Sequence, residues 1–465
     1  MKRRDFNRLT ALAAGSAAWH PARDSAANES TITLRAVEGH ARLYGNDGGV
    51  SPLWLYNGQL PGPVIRARRG QRVRVRFVNE LQVPSTVHWH GIRIDNKMDG
   101  VSGLTQAPVA PGEHFDYDFV APDAGTYWYH AHHQTWNQVP RGLAGTLIIE
   151  DDELFVPAAQ DLVLALSDWS LDEEGVLKID TFGSGHAFSH AGRLGNWLTV
   201  NGVSKPDIPM RAGRWHRLRL INMSSARILD IAPERLGATV IALDGQSLAQ
   251  PREVTGIVKL APAQRIDLLM RPERAGVVPF EMMTGRAYEF ARLVVAEERA
   301  SEPDERAMPV LKPNDLPEPD LSKARVIDLR MEGGAMGGRR QLTYKGEVLK
   351  GRRYVETRQF WGLNGVAGMA KEPLFRARRG ESIIIDSLND TAFAHAMHTH
   401  GHHFKILSRN GVEVPHQDWR DTFISERSER VKVAFVADNP GKWLIHCHML
   451  GHAASGLLSW FEVQA

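Results

Sequence analysis

The stretch PGPVIRARRGQRVRVRFVNE at 61–80 returns as EPLFRARRGESIIIDSLND at 372–390, with an identical RARRG in each. A fainter copy, IPMRAGRWHRLRLINMSS, stands at 208–225. Internal repetition of this kind requires several copies of one structural unit. From Arg72 to Phe77 polar and apolar residues alternate, the period of a half-buried strand. The matching run at 382–385 reads as apolar, as for a strand covered on both faces. A second element repeats as GTYWYHAH (125–132) and GKWLIHCH (441–448), with GVVPFEMM (276–283) in the equivalent place between them. The chain therefore reads as three β-domains, 30–152, 155–298 and 325–465. Residues 299–324, charged and proline-rich, read as a linker. Twenty-five prolines and 42 glycines spread along 465 residues agree with short strands and many turns.

The N-terminus opens MKRRDFNR, with paired Arg3 and Arg4, and continues into the weakly apolar LTALAAGSAAW. A basic start, a short apolar stretch and the run Ser25-Ala26-Ala27 predict a twin-arginine export signal over residues 1–27. Export by the twin-arginine machinery implies a periplasmic or secreted protein. The formal charge of +2 includes five basic and two acidic residues of that segment; without them 51 basic and 52 acidic residues remain, a net −1. The formal +2 is therefore no argument for nucleic acid or anionic lipid as a partner. No stretch approaches the roughly 20 apolar residues of a membrane-spanning helix. A single cysteine, Cys447, excludes an intramolecular disulfide.

Histidine spacing ties the repeat to chemistry. His88 follows Gly70 by 18 positions and His398 follows Gly380 by 18, each with a second histidine, His90 or His400, two further on. His130 follows Gly125 by 5 and His446 follows Gly441 by 5, again paired with His132 and His448. The middle copy carries Ile231, Pro233, Glu281 and Met283 at the corresponding places. Residues i and i+2 of a strand point to one face, so each His-x-His pair presents two imidazoles together. Packing the first and third domains against each other would bring four pairs to one cavity. Imidazole suits copper, zinc, iron and nickel, and eight histidines exceed the four ligands of a structural zinc. The same alternation turns Cys447 away from His446 and His448, toward His395 and His452. One thiolate and two imidazoles form the blue-copper set used in electron transfer.

The motifs HWHG, YHAH, HAMHTHG and HCHMLGH together resemble those of the multicopper oxidases of three-domain laccase type, over essentially the whole chain after residue 27. The resemblance implies an all-β protein of three cupredoxin-like Greek-key domains, sandwiches or barrels, with copper at the interface of the first and third. It implies four copper ions: type 1 on His395, Cys447 and His452; type 2 on His88 and His398; and two type 3 ions, one on His90, His130 and His448, the other on His132, His400 and His446. It further implies oxidation of phenols or aromatic amines coupled to reduction of O2 to water, with Asp99 as a proton relay. Oxidation of Cu(I) or Fe(II) in metal tolerance is the alternative. Three positions depart from the common pattern: Leu457 stands where many bacterial members have an axial methionine, Ala396 replaces a usual proline, and Ala453 replaces an acidic residue. His133, His402 and His403 fall outside the ligand spacing and read as supporting or surface groups. His186 and His190, in a glycine-rich stretch, read as a solvated loop that could form a weak metal site. Met331 and Met336 in MEGGAMGG are too few for a methionine-rich copper-binding segment.

Overall fold

The computed structural model describes residues 31–151, 156–297, 308, 310–337 and 341–465. The expected export signal and part of the expected linker lie outside these residues. The protein is all-β, with strand over 49% and helix over 8%. The three largest apolar cores draw on residues 34–149, on 162–295, and on 329–463 with Ala226 added. Each core lies between two sheets, whose alternating strands turn one set of side chains inward.

In the first unit, one sheet runs in the order Ser51–Tyr56, Ile32–Ala41, Arg72–Asn79, His114–Val120. The other runs Gly62–Arg68, Ala144–Glu150, Gly125–Ala131, Val87–His90. The third unit repeats the second of these as Arg376–Arg378, Leu458–Gln464, Gly441–Cys447, His395–Thr399, extended by Thr422–Ser425. The RVRVRF run alternates exposed and buried as its pattern predicts. Its counterpart Glu381–Asp390 departs from expectation: Ile383 and Ile385 are buried, but Ile384 between them is only half-buried, so this strand too has a wetter face. In the middle unit the strand Gly276–Met283 slips register between Phe280 and Glu281, and Ile231 pairs with Met282. Counting from Gly276 gives Glu281 as the counterpart of His130, whereas the pairing with Ile231 gives Met282, one residue on; the extra residue of the register shift, Phe290, lies in the neighbouring strand Ala287–Ala296.

The described part of the expected linker, 310–324, has no strand or helix yet is tied down. Asn314 donates to the Ala124 carbonyl at 2.8 Å and to Gln246 Oε1 at 2.8 Å, and accepts from the Ala124 amide at 2.9 Å. It acts as a strap across the first and middle units.

The middle unit also reaches into the seam between the other two. Arg265, fully buried, donates from Nη1 to Asp421 Oδ1 at 3.0 Å and sets Nη2 2.7 Å from Oδ2. Its Nε donates to the Thr126 carbonyl at 3.0 Å, and its amide to Asp244 Oδ1 at 2.9 Å. Gly91, at φ +83°, passes so close that a Cβ there would meet Arg265 and Asp421. One guanidinium thus fastens residues of all three units. Removing one partner of a buried ion pair leaves the other charge uncompensated. Arg265→Met is therefore expected to cost about 3–5 kcal/mol in denaturant unfolding. Arg325→Met, which breaks the more exposed pair with Glu381, should cost about 1 kcal/mol or less. Equal losses in the two variants would show that the Arg265 clasp does not hold the units together.

Candidate metal centre

The histidine positions follow from strand pairing. In the first unit the antiparallel pair Val87–His90 and Gly125–Ala131 sets His88 opposite His130. In the third, His395–Thr399 and Gly441–Cys447 set His398 opposite His446 and Met397 opposite Cys447. Residues facing each other across a ladder share a face, so the histidines line one side and Met397 and Cys447 the other. The two histidine faces meet across the seam. The rings of His88 and His400 stack at 3.9 Å, as do those of His90 and His398.

Eight imidazoles converge there. Possible ligand atoms lie within 4.8 Å of one another in the sets His88/His398/His400, His88/His90/His130 and His132/His400/His446. His448 joins none of these sets of three, but its Nε2 lies 3.4 Å from His130 Nε2. Outer contacts fix the orientation of several rings. Nδ1 of His88 donates to the Asp99 carbonyl at 2.7 Å, and Nδ1 of His398 to the Asp421 carbonyl at 2.8 Å. Nδ1 of His130 and His446 donate to the Ala131 and Cys447 carbonyls, both at 3.0 Å. Nδ1 of His400 reaches both oxygens of Asp99, at 3.0 and 3.1 Å. This is the outer-shell support that orients ligating imidazoles.

The inner nitrogens are left bare. Nε2 of His88, His132 and His398 and Nδ1 of His90 and His448 are buried with no hydrogen-bond partner. Such orphans are costly unless something else satisfies them. Burial pushes the pKa values of His90, His130, His132, His400, His446 and His448 well below the ordinary histidine range, so they stand neutral with lone pairs free. A pure imidazole donor set with bare inward nitrogens fits copper ions.

A separate site lies behind the strand. Cys447 Sγ is 3.6 Å from His395 Nδ1 and 3.7 Å from His452 Nδ1, and the two nitrogens are 3.0 Å apart. A central ion with bonds of about 2.0–2.3 Å can reach all three. Burial pushes the thiol up to about 12, so the thiolate needs a bound cation to exist at neutral pH. His395 Nε2 lies 2.9 Å from Thr391 Oγ1, and His452 Nε2 donates to the His190 carbonyl at 2.6 Å. The Trp361 ring lies 4.5 Å from that of His452 and 5.0 Å from that of His395. Leu457 is fully buried in the same core as Cys447, and its carbonyl accepts the Cys447 amide at 3.0 Å.

Asp99, which the resemblance placed near the histidine site, is buried against His88 and His400. The sequence reading missed Asp421. Its Oδ1 lies 3.4 Å from His90 Nε2, and it forms a further possible ligand set with His90 and His398. Burial raises its pKa, but Arg265 and the nearby imidazoles outweigh that and hold the carboxyl well below the usual range. Thr391, Trp361 and the His190 carbonyl were also missed; all three touch the site through tertiary contacts that no local motif encodes. His133, His402 and His403 lie in none of the ligand sets with Cys447 or the eight histidines. His402 and His403 are nevertheless buried, not surface groups. Met331 is buried in the third core, whereas Met336 is 78% exposed.

Known proteins share this arrangement. Family models described as multicopper oxidase match residues 40–154 and 342–465, together just over half of the chain. The multicopper oxidase MmcO of Mycobacterium tuberculosis is 28% identical, the match covering 92% of this chain and 86% of that protein. The iron transport multicopper oxidase fetC of Epichloe festucae is 27% identical over 88% of this chain and 72% of that one. The crystal structure of a multicopper oxidase from Pseudomonas thermotolerans superposes with a TM-score of 0.82 at 32% identity, covering 94% and 99% of the two chains. With the ligand histidines and the Cys447 site in place, the chain belongs to the multicopper oxidases, copper-dependent oxidoreductases that use O2.

Proposed function

We propose that the protein is a four-copper oxidase of laccase type, exported by the twin-arginine route to the periplasm or beyond. The observation that carries the reading is the alternation at 446–448. Cys447 turns to His395 and His452, and its two neighbours turn to the histidine cavity. Copper, when bound, accepts single electrons from a reducing substrate and delivers four of them to O2. His395, Cys447 and His452 would hold the type 1 ion, and His88 and His398 the type 2 ion. His90, His130 and His448, and His132, His400 and His446, would hold the type 3 pair. Asp99 positions His88 and His400, and its buried carboxylate stands where protons are consumed.

Substrates of this reading are phenols and aromatic amines. Support comes from the half-buried Phe393 and His190 beside the Cys447 site, whose rings lie 5.8 Å apart and offer faces on which a planar ring can pack. A second reading, oxidation of Cu(I) or Fe(II), draws on the paired His186 and His190 beside His452 and on the iron transport relative.

Steady-state oxidation of a phenol, Cu(I) and Fe(II) by the copper-loaded protein separates the readings. A kcat/KM for the phenol above that for either metal supports the laccase type. Cys447→Ser is expected to abolish the blue colour and substrate oxidation while the histidine-bound coppers remain. A blue Cys447→Ser variant would place the thiolate elsewhere. Leu457 offers no donor atom, which favours the reduced ion and raises the potential. Leu457→Met should keep the fold, since such swaps usually cost less than about 1.5 kcal/mol. It should lower the potential, each shift of about 59 mV changing the electron-transfer equilibrium tenfold. An unchanged or higher potential would mean that Leu457 does not border the ion that Cys447 would hold.

A further inference from the structure

The exchange of a usual proline for Ala396, next to His395, gives the chain one extra backbone N–H at the edge of the Cys447 site. Ala396 lies in the strand His395–Thr399, where side chains alternate between two faces. Met397 stands opposite Cys447 on one face, so the Ala396 methyl belongs to the other, fully buried with Ala261 and Ile424. Only its peptide reaches toward the thiol. The Ala396 carbonyl accepts the His448 amide at 2.6 Å. The N–H and C=O of one residue in an antiparallel ladder point to the same neighbouring strand. The Ala396 N–H is therefore turned toward 447–448, where the strand Gly441–Cys447 ends. There it donates to the Cys447 sulfur, beside a hydrogen bond from the Met449 amide to the same atom. A proline at 396 could keep the carbonyl contact but not this one.

A thiolate gives electron density to a bound copper ion, and an N–H aimed at the sulfur draws part of it back. The oxidised ion depends on that density more than the reduced ion does. Each N–H···S bond thus favours the reduced form, and hydrogen bonding around the sulfur tunes the potential of blue-copper sites. Cys447, His395 and Ala396 are all fully buried, so water does not compete for the donor or screen it. The donor is held firmly as well, since its strand is paired on both sides.

We propose that the Ala396 amide is a positioning donor to the Cys447 thiolate, and that this second N–H···S bond raises the potential above that of a site with proline at 396. The inference rests on the copper ion proposed for Cys447. It deepens the substrate reading, because a higher potential admits phenols that give up an electron less readily. Leu457 and Ala396 border Cys447 from different strands and act in the same direction, so two departures from the common pattern converge on one property.

Ala396→Pro removes the donor, and the extended backbone of His395 is the conformation that a following proline accepts. Redox titration of the copper-loaded variant should show the one-electron equilibrium moved at least tenfold toward the oxidised ion, a potential about 59 mV lower. Ala396→Gly keeps the amide and loses only the methyl, so it should keep the potential of the unaltered protein. An ester at the 395–396 linkage, made with lactic acid in place of the alanine, removes the same hydrogen without a ring. It should match Ala396→Pro, and it decides the question if that variant does not fold. In the variants lacking the N–H, kcat/KM should fall further for an electron-poor phenol than for an electron-rich one; equal falls would overturn the link to substrate range. An unchanged or higher potential in a blue ester variant would overturn the inference alone, as would an Ala396→Gly shift as large as that of Ala396→Pro. An unaltered, copper-loaded protein without blue colour would overturn the copper reading of Cys447 and the inference with it.

Discussion

The two-residue period of one strand underlies everything the metal centre does. At Gly441–Cys447 the backbone turns Cys447 into the third core and His446 toward the seam, and His448, just beyond the strand, returns to the seam side. A slip of one residue would put the thiol in the histidine cavity and the imidazoles in the core. Register is held on both sides: His398 faces His446 in one ladder, and His446 faces Leu458 in the next. Two candidate metal sites of different donor chemistry are thereby joined by a single peptide bond on either side of Cys447.

The middle unit contributes none of these ligands, yet it holds the site at two places. Arg265 enters the seam from one side and pairs with Asp421, whose carbonyl accepts a hydrogen bond from His398 Nδ1 and whose carboxylate borders His90. On the other side the helix Gly185–Ser189 closes over His452. A buried charge pair is expensive to assemble and more expensive to break, so it suits a junction that must form in one way only. The strap at Asn314 adds a further tie between the first and middle units.

Much of this was legible in the sequence because it is local. Strand period, the returned RARRG and the equal Gly-to-His distances placed every histidine of the seam and separated Cys447 from its neighbours. What was not legible depends on distance along the chain. Arg265 and Asp421 are 156 residues apart, and nothing near either marks the other. Trp361 and Thr391 meet the Cys447 site only through packing, and a main-chain carbonyl such as that of His190 has no signature at all. Met282 shows the opposite failure, in which a count of residues from Gly276 missed how that strand pairs with Ile231. His402 and His403 were read as supporting or surface groups, and burial beside Phe435, Trp443, Gln246 and Asp421 selects the first of these, a choice that neighbours in sequence do not make.

The central claim is that one strand separates a single-ion site from a three-ion site. Copper analysis of the fully loaded protein tests the four-copper proposal, in which one ion is held on the Cys447 side and three among the histidines. The account predicts about four copper ions per chain, one of them tied to the blue colour. Saturation at one or two ions with every ligand intact would contradict it.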